Sequence, residues 1–185
     1  MVPMRKVYRV LPWKPRAAPG APGHPLHVPS SNGTDRLGNP EDYSVLYVSS
    51  SPAGAVAEAF GHVDVWVPAM FRTRDGMIRA LAEFTVRDSS ILDLDDPHEL
   101  VERSLRPSLV VTRDRETTQQ WAKAVFHENR WAGVEWWSYY DPRWSSIGLW
   151  SMKPLKVSGT PAPLTLDHPA ITEAAEILAR RIEVA

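Results

Sequence analysis

Hydrophobic and polar positions alternate over residues 5–11 (RKVYRVL), and Val and Tyr among them predict a first strand. Residues 44–50 (SVLYVSS) predict the second. A helix follows at once: Ser51 suits its cap, Pro52 its first turn, and Ala55, Val56, Ala59 and Phe60 form an apolar face. Residues 63–71 (VDVWVPAMF) and 79–88 (RALAEFTVRD) read as further strands, the second leading into SSILDLDD. Residues 96–105 predict a helix with Asp96 as cap and Pro97 at its first position. Residues 115–129 form the strongest helical pattern, with Trp121, Ala122, Val125 and Phe126 as its buried stripe. GVEWWSYYDP (133–142) and SSIGLWSMKP (145–154) predict short strands around a turn at Asp141-Pro142. The C-terminal stretch, about 169–184, predicts an amphipathic helix. Strands and helices do not alternate regularly, so the expected class is α+β: one domain of mixed or antiparallel sheets with flanking helices.

Between the first two strands lies an irregular stretch, Pro12 to Pro40, rich in Pro, Gly, Ser and Asn. A loop of that length inside a domain points to function. The 17 prolines extend the loop-rich character, while a hydrophobic fraction of 43% excludes disorder. The 8 tryptophans supply large faces for a pocket as well as a core.

The chain has 185 residues and no cysteine, which excludes disulfides, thiolate metal sites and a cysteine nucleophile. The formal net charge is −1 with acids and bases interspersed, so no basic stripe argues for nucleic acid. MVPMRKVYRV lacks the apolar run of a signal peptide, and no stretch is apolar for long enough to span a membrane. A cytoplasmic protein is expected. GAPG at residues 20–23 lacks the lysine and the following helix of a phosphate loop. GxSxG and HExxH are missing, and the six histidines show no metal-ligand spacing, so no metal is expected. DLDD at 93–96 lacks the glycine and distal glutamate of a calcium loop, and reads as a strand end and a helix cap.

Four segments combine into a pattern: GTDRLGNPEDYSVLYVSSSPAGAVAEAF (33–60), LDLDD (92–96), TTQQWAKAVF (117–126) and GVEWWSYYDPRWSSIGLW (133–150). Their order and spacing resemble a RES domain, over roughly residues 5–155. An arginine, Arg36, precedes the strand holding Leu46-Tyr47. An AxxE helix runs from Ala55 to Glu58. A downstream Gly133 to Ser138 segment leads to Gly148-Leu149-Trp150. Two places depart from the family. Asp35-Arg36-Leu37-Gly38-Asn39 stands where a Gly-Arg-Trp-Asn-like run is usual, and Trp137-Ser138 replaces Pro-Ser.

The resemblance implies a fold like the ADP-ribosyltransferases, with NAD⁺ in a cleft between sheets. It implies a toxin-type NAD⁺ phosphorylase or glycohydrolase, silenced by an antitoxin protein, with inorganic phosphate or water as acceptor. Family members assemble as dimers with a helical antitoxin, and no stretch here marks that interface. Glu58 and Arg36 would be catalytic. Arg9, Tyr47 and Ser138 would bind NAD⁺ or phosphate, with Tyr43 competing for the role of Tyr47. Chemistry suits these types. A carboxylate steadies an oxocarbenium-like ribose, and arginine grips pyrophosphate in a fork. An aromatic ring stacks on nicotinamide or ribose, and a serine hydroxyl orients the nicotinamide amide or a phosphate oxygen. Taken singly, Glu58 reads equally well as an exposed helix glutamate, Arg36 as a solvated loop residue, Arg9 as an edge-strand charge and Tyr47 as core. Protein ADP-ribosylation is the alternative activity. Transferases of that kind often carry an acidic or amide residue two positions before the glutamate, and Val56 stands there. A non-catalytic binding module is the third reading.

Overall fold

The computed structural model describes residues 3–184. Strand β1 (Met4–Trp13) pairs along its whole length with β4 (Ile78–Arg87), and β4 also carries β8 (Leu155–Pro163). A second group runs from β2 (Leu46–Ser49) through β7 (Ser145–Leu149) and β6 (Gly133–Trp137) to β5 (Ile91–Asp93). The β5–β6 pair is parallel and the other ladders of this sheet are antiparallel. The two groups join through one register pair, Tyr8 with Ser49, giving a seven-stranded sheet ordered β5-β6-β7-β2-β1-β4-β8. The fold is α+β, with a mostly antiparallel sheet, as the pattern of elements predicts.

The sheet curls. Arg5 of β1 and Glu135 of β6 are three ladder steps apart, about 14 Å on a flat sheet. Yet Arg5 Nη1 donates to Glu135 Oε1 at 2.9 Å. Val7, Phe84 and Leu155 of one strand group share a core with Leu46, Ile147 and Leu149 of the other. A second core fills the face under the helices α2 (Pro97–Glu102), α3 (Pro107–Val110) and α4 (Arg115–His127), around Leu92, Trp121 and Val134. A third joins α1 (Pro52–Phe60) to α5 (Pro169–Ile177) through Val56, Phe60 and Ile171. No helix among the described residues is long and apolar enough to cross a membrane.

Three predicted elements differ. The strand expected over 63–71 is only β3 (Val65–Trp66), because Pro68, which has no N–H for a ladder, opens a 3₁₀ turn. The helix expected over 169–184 stops at Ile177. The chain turns through Ala179 at φ 52°, and β9 (Arg181–Ile182) pairs in parallel with β3. Arg180 drives that exit: Nη1 pairs with Asp64 Oδ1 at 3.0 Å and Nη2 donates to the Gly61 carbonyl at 2.6 Å. The helix expected over 96–105 ends at Glu102, with α3 as a separate turn. β8 carries no strand signal in the sequence, since Pro161, Pro163 and Gly159 break it up. It is an edge strand, where proline is tolerated, and Gly159 at φ 71° sits in a bulge against β4.

Candidate active site

Glu58 lies on the face of α1 that also presents Ala55 and Ala59 to the cleft, while Ala53, Val56, Ala57 and Phe60 are buried. Ser51 caps the helix by accepting from Gly54 N at 2.9 Å. Gly54 lets α1 sit against β2, because a Cβ there would stand 2.4 Å from Ser49 Oγ. Two hydroxyls meet Glu58: Ser138 Oγ donates to Oε1 at 3.0 Å and Ser146 Oγ donates to the same oxygen at 2.9 Å. Oε2 has no hydrogen-bond partner among the described residues. Alternation along β7 explains Ser146: Ile147 and Leu149 enter the core, and Ser146 and Gly148 face the other way.

The β6–β7 turn sets both serines. Ser138 N donates to the Trp144 carbonyl at 2.7 Å and Trp144 N to the Asp141 carbonyl at 3.0 Å. The Arg143 guanidinium grips Asp141, with Nε 3.0 Å from Oδ1, and holds its carboxyl down to about 2. A carboxyl depressed on folding contributes stability above its unfolded value, near 3.8, and loses it as pH falls toward 2. Acid unfolding followed by circular dichroism should therefore steepen between about pH 4 and 2 in the wild type and flatten there in Asp141→Asn. Equal slopes for the two proteins would exclude this turn as an acid-labile part of the fold.

Arg36 is held by a loop that α4 anchors. Thr118 Oγ1 donates to the Arg36 carbonyl at 2.6 Å, and Gln119 Nε2 donates to the carbonyls of Gly33 at 2.7 Å and Asp35 at 2.9 Å. The guanidinium donates from Nη1 to the Val110 carbonyl at 2.8 Å and stands 5.8 Å from the centre of the Trp136 ring. Burial lowers its pKa and Arg115 adds to that, while Glu58 and Tyr47 oppose it. Leu37 is fully buried against Gly148, where a Cβ would lie 2.3 Å from Leu37 Cδ1. Gly148→Ala should cost about 1–3 kcal/mol in chemical denaturation, the range for overpacking.

Other predicted residues are placed differently. Tyr47 lines the cleft with its ring, but its hydroxyl donates to Asp35 Oδ1 and accepts from Leu37 N, the latter at 3.0 Å. Burial and the neighbouring Asp35 carboxylate push that hydroxyl's pKa far up, so it braces the Arg36 loop and carries no free donor. Tyr43 is core, packed against Phe126 with ring centres 4.6 Å apart. Ser138 is buried and aimed at Glu58. Arg9 lines the cleft and donates to the carbonyls of Pro25 at 3.1 Å and His27 at 2.8 Å, pinning the loop between β1 and β2. Burial lowers its pKa to about 10.

Sequence reasoning missed Ser146, Asp35, Arg113 and Arg115. The arginines flank the cap of α4, and a charged loop before a helix is too common to single them out. The cleft measures about 680 Å³, within the range of ligand sites. Its wall combines two carboxylates, Glu58 and Asp35, with four arginines, Arg9, Arg36, Arg113 and Arg115. Among the described residues no group of His, Asp or Glu side chains is arranged to hold a metal ion.

A family model described as the RES domain matches residues 7–168. No curated protein matches the sequence. Among solved structures, a chain of the crystal structure of the M. tuberculosis MbcT–MbcA toxin–antitoxin complex is similar, with a TM-score of 0.57 at 14% identity. The match covers 95% of this chain and 90% of that one.

Proposed function

This chain belongs to the RES domain family, and from that premise we propose that it degrades NAD⁺ by cleaving the bond between nicotinamide and ribose. The observation that carries the reading is the Glu58 carboxylate, clamped through one oxygen by Ser138 and Ser146 and open at the other, in a cleft whose wall also carries four arginines. Nicotinamide in NAD⁺ is already a cationic leaving group, so no acid is needed to expel it. As the C1′–N bond breaks, its electron pair goes to the nicotinamide nitrogen and positive charge grows on the ribose. Glu58 Oε2 stabilises that charge and accepts a hydrogen bond from a ribose hydroxyl. Arg36 binds the pyrophosphate in a fork.

An acceptor oxygen then bonds to C1′ from the opposite face. Inorganic phosphate is our preferred acceptor. It gives ADP-ribose 1″-phosphate, whereas water gives ADP-ribose and a proton. The support is the arginine count: Arg9 lines the same cleft as Arg36, and two anionic groups need more than one guanidinium. Protein ADP-ribosylation is disfavoured because Val56 is fully buried and offers nothing to an acceptor side chain. By analogy with the toxin–antitoxin complex, we further propose that an antitoxin protein silences the chain.

Purified protein incubated with NAD⁺, with and without phosphate, tests this by chromatography of nicotinamide and the ribose product. Release that requires phosphate supports phosphorolysis. Release without it makes the chain a hydrolase, and intact NAD⁺ under both conditions overturns the proposal.

A further inference from the structure

We propose that Tyr139, backed by Arg113, is the adenine-stacking platform of the cleft. This rests on the NAD⁺ reading above. Tyr139 is a large aromatic residue left 60% exposed, and its ring lies on the cleft wall. One side of it is taken: the Arg113 Cζ stands 5.2 Å from the ring centre and Nη2 donates to the Tyr139 hydroxyl at 3.1 Å. The Tyr140 ring props it edge-on, with centres 5.6 Å apart at 79°. The ring is thus held in place while exposing aromatic surface, as base-stacking sites do.

Charge selects which base it takes. Arg113 puts a positive charge behind the ring. The nicotinamide of NAD⁺ is itself cationic and is repelled there, whereas adenine is neutral and stacks on a cation-backed ring without penalty. The order of groups around the cleft agrees. Arg36 is close enough to Glu58 and to Arg115 to feel both charges, and Arg115 is two residues from Arg113. Carboxylate, two arginines and then an aromatic platform follow the order ribosyl centre, pyrophosphate and adenine in NAD⁺. Tyr139 directly follows Ser138, whose hydroxyl holds Glu58, and the ring and the carboxylate both line the one cleft.

The test is equilibrium binding by calorimetry, with ADP-ribose and ribose 5-phosphate as probes, because ADP-ribose keeps the adenine and binds whether or not catalysis occurs. Tyr139→Ala should lower the ratio of ADP-ribose to ribose 5-phosphate affinity about ten- to hundredfold. Tyr139→Phe should keep most of that ratio, and Arg113→Met should lower it by about two- to fivefold. The wild-type preference for NAD⁺ over nicotinamide mononucleotide, as a ratio of kcat/KM, should fall in parallel. The proposal is overturned if wild type does not bind ADP-ribose, if Tyr139→Ala leaves the ratio unchanged, or if both probes weaken together. Wild type that binds ADP-ribose through Tyr139 but releases no nicotinamide would refute the proposed reaction and leave the platform standing.

Discussion

Glu58→Gln is expected to lower kcat for nicotinamide release by about 10²–10³-fold while KM for NAD⁺ changes only severalfold. Glutamine matches the size of glutamate, and its amide oxygen can still accept from Ser138 and Ser146. What the variant loses is the negative charge, and that charge matters most when the ribose becomes cationic. An interaction made chiefly in the transition state shows in kcat, whereas uniform binding shows in KM. Single-turnover kinetics with chromatography, set beside NAD⁺ binding by calorimetry, separates the two. A fall of less than tenfold in kcat would remove Glu58 from the chemistry. Thermal melting should confirm that the fold survives, since Glu58 is exposed on its helix.

Arg36→Ala should reduce kcat/KM by about 10²–10³-fold, with most of the change in KM, because in the proposed reaction this partly buried guanidinium is the pyrophosphate's partner. Arg36→Lys should recover little of this: an ammonium is a point charge and cannot make two parallel bonds. Stability should fall modestly, as the Val110 carbonyl loses its donor and the Trp136 ring its cation. A KM unchanged in both variants would assign pyrophosphate binding to Arg9, Arg113 or Arg115 instead.

Local signals located much of this site. Ser51 and Pro52 announce a helix straight after a strand, and the surrounding alanines mark Glu58 as approachable. Arg36 and Ser138 came with the family pattern. Their partners did not, because they depend on contacts far apart in sequence. Thr118 and Gln119 reach the Arg36 loop across more than eighty residues, as the Thr118–Arg36 bond shows. Ser146 reads as filler in an apolar strand until β7 is laid beside β6, which brings it onto the same carboxylate as Ser138. Tyr47 illustrates the opposite error. Its ring position was legible, but the hydroxyl's commitment to Asp35 was not. In the fold, β8 is not legible because Pro161, Pro163 and Gly159 argue against a strand, and the edge position that tolerates them is a property of the whole sheet. The C-terminal helix was overextended because Arg180 finds Asp64 and Gly61, partners that helical periodicity cannot register.

The join at Tyr8 and Ser49 has a consequence for how a ligand is received. Past that pair the ladder between β1 and β2 stops, so each strand keeps an edge with peptide N–H and C=O groups that no neighbouring strand occupies. On the outside of a protein such edges invite aggregation. Here they open into the cleft beside Arg9, Val10 and Val48, under the loop that Arg9 pins. The fold thus splits its own sheet at the cleft, so that backbone as well as side chains forms the wall.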